Sequence, residues 1–115
     1  MIFEDDVTKF LQSHPEYVKT LERAIWQEEL NQSNQNYYGW EWHDVGTMGS
    51  KLVRLVTNDL AEINFKSNRT TLYFLANREV TKKAVEKFKA KQMELQFKID
   101  VNDILGQVKK GRKKG

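Results

Sequence analysis

HDVGTMGSKLVRLVTNDLAEINFKSNRTTLYFLA, residues 43–76, changes its apolar period partway along. Up to Thr57, the residues Met48, Leu52, Leu55 and Val56 recur at helical spacing on one face. From Ala61 the pattern becomes the two-residue alternation of a half-buried strand, Ala61-Glu62-Ile63-Asn64-Phe65-Lys66, with the apolar residues expected inward. Gly46 suits a sharp turn between a short helix at 41–45 and a helix over 47–58 for which Thr47 is a natural N-cap. Asn58 stands where a left-handed helix end is expected, and Leu60 anchors the start of the strand region. Ser67-Asn68-Arg69-Thr70 then makes a turn, and Thr71-Leu72-Tyr73-Phe74-Leu75 returns as a second strand with Tyr73 and Leu75 inward. The order is helix, turn, helix, hairpin.

Upstream, Asp5 or Asp6 can cap a first helix whose Val7, Phe10 and Leu11 form one apolar stripe. Pro15 interrupts it, and Ser13 with Glu16 fits a capping box for a second helix that runs to about Asn31. Tyr17, Val18, Leu21, Ile25 and Leu30 are expected inward on this helix, with Trp26 at its flank. Residues 31–36, NQSNQN, have side chains that compete for backbone hydrogen bonds and read as a loop. Tyr37, Tyr38, Trp40 and Trp42 come next as a dense aromatic cluster, which in a small domain is core or groove lining before it is a platform for bases. Downstream, Asn77 can cap a long helix over 78–97 with Val80, Ala84, Val85 and Phe88 at helical spacing and lysines over the rest.

The 43–76 stretch resembles the winged helix-turn-helix, the DNA-reading module of many archaeal and bacterial regulators. The resemblance implies an α+β, mostly α fold: a winged helix-turn-helix with a two-stranded wing hairpin between long N- and C-terminal helices. It assigns residues 1–97 to the domain, with a recognition helix at about 47–58, a wing at about 61–76 and a basic helix at about 78–97, and leaves 98–115 as a basic tail or linker. Docking of the apolar stripe leaves Ser50, Lys51 and Arg54 facing the major groove, with Thr47 at the helix start. Lys66, Asn68 and Arg69 stand at the wing tip, where a minor groove or backbone is contacted, and Lys82 and Lys83 add phosphate contacts. Double-stranded DNA is the partner this implies. Winged helices also dock proteins in replication, helicase and ATPase assemblies, for which Tyr37, Tyr38, Trp40 and Trp42 would be the surface.

Composition points the same way. The 115 residues suffice for one core, and the net charge of +3 is unevenly spread. Residues 1–50 carry three Lys/Arg against nine Asp/Glu, whereas residues 51–115 carry sixteen against seven. Such a dipole suits a polyanion at the second half. There is no cysteine and no apolar run long enough to span a membrane, and the acidic N-terminus is unlike a secretory signal, so a cytoplasmic protein is expected.

No catalytic constellation is legible, so no enzymatic activity is expected. His14 and His43 form no ligand pattern, and Gly46-Thr47-Met48-Gly49-Ser50-Lys51 lacks the spacing of a phosphate-cradling loop, so no metal and no cofactor is expected. Val85, Phe88, Gln92, Leu95 and Ile99 step as a short a/d seam through which residues 78–99 could pair two copies. Five basic residues among glycines at 109–115 read as a tail without fixed structure, as at a join to something larger.

Overall fold

The computed structural model describes residues 2–94. The architecture is α+β and mostly helical: α1 (Glu4–Ser13), α2 (Tyr17–Leu30), α3 (Gly49–Thr57), a hairpin of β1 (Ala61–Lys66) and β2 (Thr71–Leu75), and α4 over 78–94. The chain divides into two compact units, 1–85 and 86–115. The first holds the hairpin and its core; the described part of the second, 86–94, is helical. Leu95, Ile99 and the basic tail, and with them most of the expected pairing seam, lie outside the described residues.

α1 opens earlier than its aspartates suggest. Phe3 is the N-cap, and Asp6 Oδ2 accepts its backbone N–H at 2.9 Å, so Asp6 serves as the third helical residue reaching back. Glu4, Asp5 and Asp6 place negative charge on the positive end of the helix dipole. Val7, Phe10 and Leu11 are buried as the stripe requires. The expected box of Ser13 with Glu16 does not form, because Ser13 is still the last residue of α1 and Glu16 is an N-cap without a side-chain bond. An aromatic group of Phe10, His14 and Tyr17 fixes the bend instead, with the His14 and Tyr17 centroids 5.0 and 5.2 Å from that of Phe10.

α2 buries Tyr17, Leu21, Ala24 and Ile25, together with the polar Thr20 and Glu28. Leu30, expected inward, is exposed, because helical spacing puts it on the side of α2 away from the buried Tyr17, Leu21, Ala24 and Glu28. Tyr17 donates its hydroxyl proton to the Lys51 carbonyl at 3.0 Å, which ties α2 to α3.

The expected helix at 41–45 is a hydrogen-bonded turn. Asp44 N–H reaches the Glu41 carbonyl, Gly46 N–H that of His43 and Thr47 N–H that of Trp42, and the side chain of Asp44 accepts the Glu41 N–H. Gly46 has φ +66°, so the chain turns left-handed there. α3 therefore starts after Met48, and Met48 rather than Thr47 is its N-cap, with no side-chain bond. This position carries Met48 out of the apolar face to 68% exposure, while Leu52 and Leu55 are wholly buried. The left-handed residue after α3 is Asp59 (φ 63°), one place beyond Asn58, whose amide instead donates to the Arg54 carbonyl.

Both strands fall where their alternation places them. β1 and β2 pair antiparallel, Ala61 opposite Leu75 and Ile63 opposite Tyr73; a bulge at Asn64 then sets Phe65 opposite Leu72. Phe65 is thereby shifted to the face opposite Ile63, and the expected inward pair is left 46% and 48% exposed at Ile63 and Phe65 respectively. Tyr73 and Leu75 are buried as expected. Trp40 adds a single antiparallel bridge on the far side of β2, with reciprocal N–H···O bonds to Tyr73 of 3.0 Å.

Candidate nucleic-acid interface

The outward side of α3 is set by its two anchors. With Leu52 and Leu55 in the core, Ser50, Lys51, Val53, Arg54 and Thr57 are exposed, and no carboxylate lies within the helix. Arg54 extends toward the end of α1, with Nη1 3.4 Å from His14 Nδ1. Thr57 spends its hydroxyl on the Val53 carbonyl. Thr47 is half-buried in the turn before the helix.

Lys66, Asn68 and Arg69 are exposed together at the hairpin end, where Ser67 N–H bonds the Thr70 carbonyl at 2.7 Å to close the turn. The structure thus gathers the sequence-derived residues into an α3 group and a tip group. Lys82 and Lys83 stand apart at the start of α4, capped by Asn77 Oδ1 on Val80 N–H. Lys83 is exposed, but Lys82 forms a 2.7 Å ion pair with Glu29 of α2. Within the first unit the charge is nearly balanced, ten Lys/Arg against twelve Asp/Glu.

The aromatic cluster separates by role. Trp40 is fully buried and stacks on Tyr73 at 5.3 Å, Tyr37 meets Phe74 edge-on at 5.8 Å, and Tyr38 and Trp42 are exposed. What enforces this is Glu28, a buried carboxylate that sequence periodicity did not single out. Its Oε2 accepts the Trp40 indole N–H at 2.9 Å and the Leu75 backbone N–H at 2.7 Å, joining α2, the Trp40 bridge and β2 at one atom. Burial pushes the Glu28 carboxyl above the usual carboxylate range, opposed by those two bonds and by the Arg78 charge. Burial likewise pushes the Tyr37 hydroxyl up to about 12, with the Glu28 and Asp44 charges adding to it.

A raised carboxyl pKa means that folded Glu28 keeps its proton to higher pH than the unfolded chain does. The stability this contributes is complete below the unfolded value and is lost as pH rises through the folded one. Glu28→Gln keeps an acceptor but cannot ionise. Wild-type protein is therefore expected to lose stability relative to Glu28→Gln between about pH 4 and neutrality, measured as urea midpoints at both ends; a difference that does not vary with pH would contradict the assignment.

Glu41, His43 and Asp44 bring one potential ligand atom each within 4.8 Å of one another. They already serve each other: the His43 ring bonds Glu41 and lies 3.3 Å from Asp44, and Asp44 also holds the Glu41 N–H. Lys19 and Arg23 of α2 went unnoticed in the sequence because they occupy the polar face of an amphipathic helix, where charge is ordinary. Among the described residues no helix is long and apolar enough to cross a membrane. No protein-family model matches the chain, and neither a curated protein nor a solved structure shows significant similarity to it.

Proposed function

We propose that the chain is a winged helix-turn-helix domain that binds double-stranded DNA in the cytoplasm, as a regulator or as the DNA-docking part of a larger protein. α3 enters the major groove and the Lys66–Arg69 turn lies against an adjacent backbone or minor groove. The observation that carries this reading is the α3 surface: two leucines fix its rotation, and the face left outside presents Ser50, Lys51 and Arg54 without an acidic residue. Two further features support it. The hairpin comes directly after α3, and the Trp40 bridge holds the chain before the turn against the other side of β2. The turn at 42–46 stands in for the first helix of the motif.

The test is fluorescence anisotropy of a labelled duplex at two salt concentrations, with wild type and an Arg54→Ala/Arg69→Ala variant. Binding by wild type is expected to weaken steeply with salt, and the variant to bind less tightly with a shallower dependence. At a preferred sequence Arg54→Ala alone is expected to cost about 1–3 kcal/mol. Wild-type binding that ignores salt, or a variant indistinguishable from it, would refute the reading.

A second reading, a protein-docking winged helix, is favoured by one observation. Trp42, Met48 and Val53 are large, exposed and apolar at the start and outer side of α3. It predicts that Trp42→Ala abolishes capture of a partner while leaving any DNA affinity unchanged.

A further inference from the structure

Lys19 and Arg23 lie one turn apart on α2, and both line a pocket of about 190 Å³ shared with Lys51 of α3 and with Thr47. Among the described residues none of these three cations makes an ion pair. The one carboxylate at the pocket, Glu16, has Oε1 3.8 Å from His14 Nδ1. Thr20 lines the pocket as well.

The Arg23 guanidinium lies against the turn at Gly46. A Cβ placed on Gly46 would sit 1.7 Å from Arg23 Nη1, so the guanidinium rests directly on the glycine, at the residue whose φ of +66° turns the chain toward α3. Three cations converge without an ion-pair partner, two hydroxyls accompany them, and space remains between.

We propose that this pocket binds a single phosphate group, with Lys19, Arg23 and Lys51 neutralising it and Thr20 and Thr47 donating hydrogen bonds. A planar fork from Arg23 and point charges from the lysines suit an oxyanion with several acceptor oxygens. The phosphate comes either from the backbone of the DNA duplex, an arm that rests on the function proposed above, or from free phosphate. In the first case the pocket anchors α2 to the strand flanking the groove that α3 enters, and so fixes the register of Arg54.

The test uses the full chain and a Lys19→Gln/Arg23→Gln variant, with Gly46→Ala as a second way to displace the guanidinium. Duplex affinity is measured across a salt series, and the amide signals of Gly46 and Thr47 are followed by NMR during titration with inorganic phosphate against chloride at equal ionic strength. The expected result is a log–log salt slope about 0.9 shallower in both variants, one phosphate fewer, and saturable phosphate shifts in wild type only. Phosphate shifts without any duplex binding would support the pocket with free phosphate as its ligand while removing the DNA reading. Duplex binding with equal slopes in all proteins and no phosphate shifts would overturn the pocket and leave the DNA reading standing.

Discussion

Trp40→Ala is expected to remove roughly 3–5 kcal/mol of unfolding free energy, the range for emptying a fully enclosed aromatic site. The indole is 0% exposed, stacks on Tyr73 and donates to Glu28, so its loss opens a cavity and strips a buried carboxylate of one of two donors at once. A domain of this size has only a small reserve to draw on, about 5–15 kcal/mol for typical proteins. Urea titration followed by far-UV circular dichroism reads the effect without relying on the removed fluorophore. A loss below about 1 kcal/mol would mean that Trp40 is not enclosed as described. Double substitution with Glu28→Gln should cost less than the sum of the two singles, because the two side chains share a bond.

Gly39→Ala is the second large effect, and its origin is backbone rather than side chain. Gly39 has φ +128°, and a Cβ there would lie 2.5 Å from the Tyr73 carbonyl oxygen, which Trp40 N–H also uses. The strained backbone alone costs about 1–3 kcal/mol, and the overlap with a carbonyl that cannot move without breaking the bridge adds to it. Thermal melts should show Gly39→Ala well below wild type, with Gly49→Ala as the control, since nothing lies within 4 Å of a Cβ at Gly49. Equal melting of the two variants would refute the claim that the approach of residues 39 and 40 to β2 is tight.

The contrast between these positions shows where sequence reading succeeds. The strands at 61–66 and 71–75, the burial of Tyr73 and Leu75 and the Asn77 cap were legible because each depends on local period or a cap at fixed offset. The anchors Leu52 and Leu55 were legible for the same reason. Position 39 was not, since its demand for glycine arises from a strand more than thirty residues away. Glu28 looked like one more charge on a polar helix face; only the arrival of Trp40 and Leu75 makes it a junction.

The candidate interface divides in the same way. Ser50, Lys51 and Arg54 could be placed on one face from helical spacing alone, and Lys66, Asn68 and Arg69 from the hairpin turn. The convergence of Lys19 and Arg23 on Lys51 could not, because it requires the tertiary packing of α2 beside the Gly46 turn. Asn64 eluded the pattern for a different reason. Strict alternation was present in the sequence, and a single extra residue in the ladder reversed its outcome for Phe65.

That bulge also has a bearing on solubility. β2 is flanked by β1 on one side and by the Trp40 bridge on the other, so β1 carries the open margin of the sheet, together with the half-exposed Ile63 and Phe65. An uninterrupted margin of this kind invites a strand from a second molecule to zip onto it. Here the run of amides is broken at mid-length, and the Asn64 side chain is turned back to the Tyr38 carbonyl at 2.8 Å. An incoming strand would lose register at Asn64, which disfavours pairing along the whole of β1.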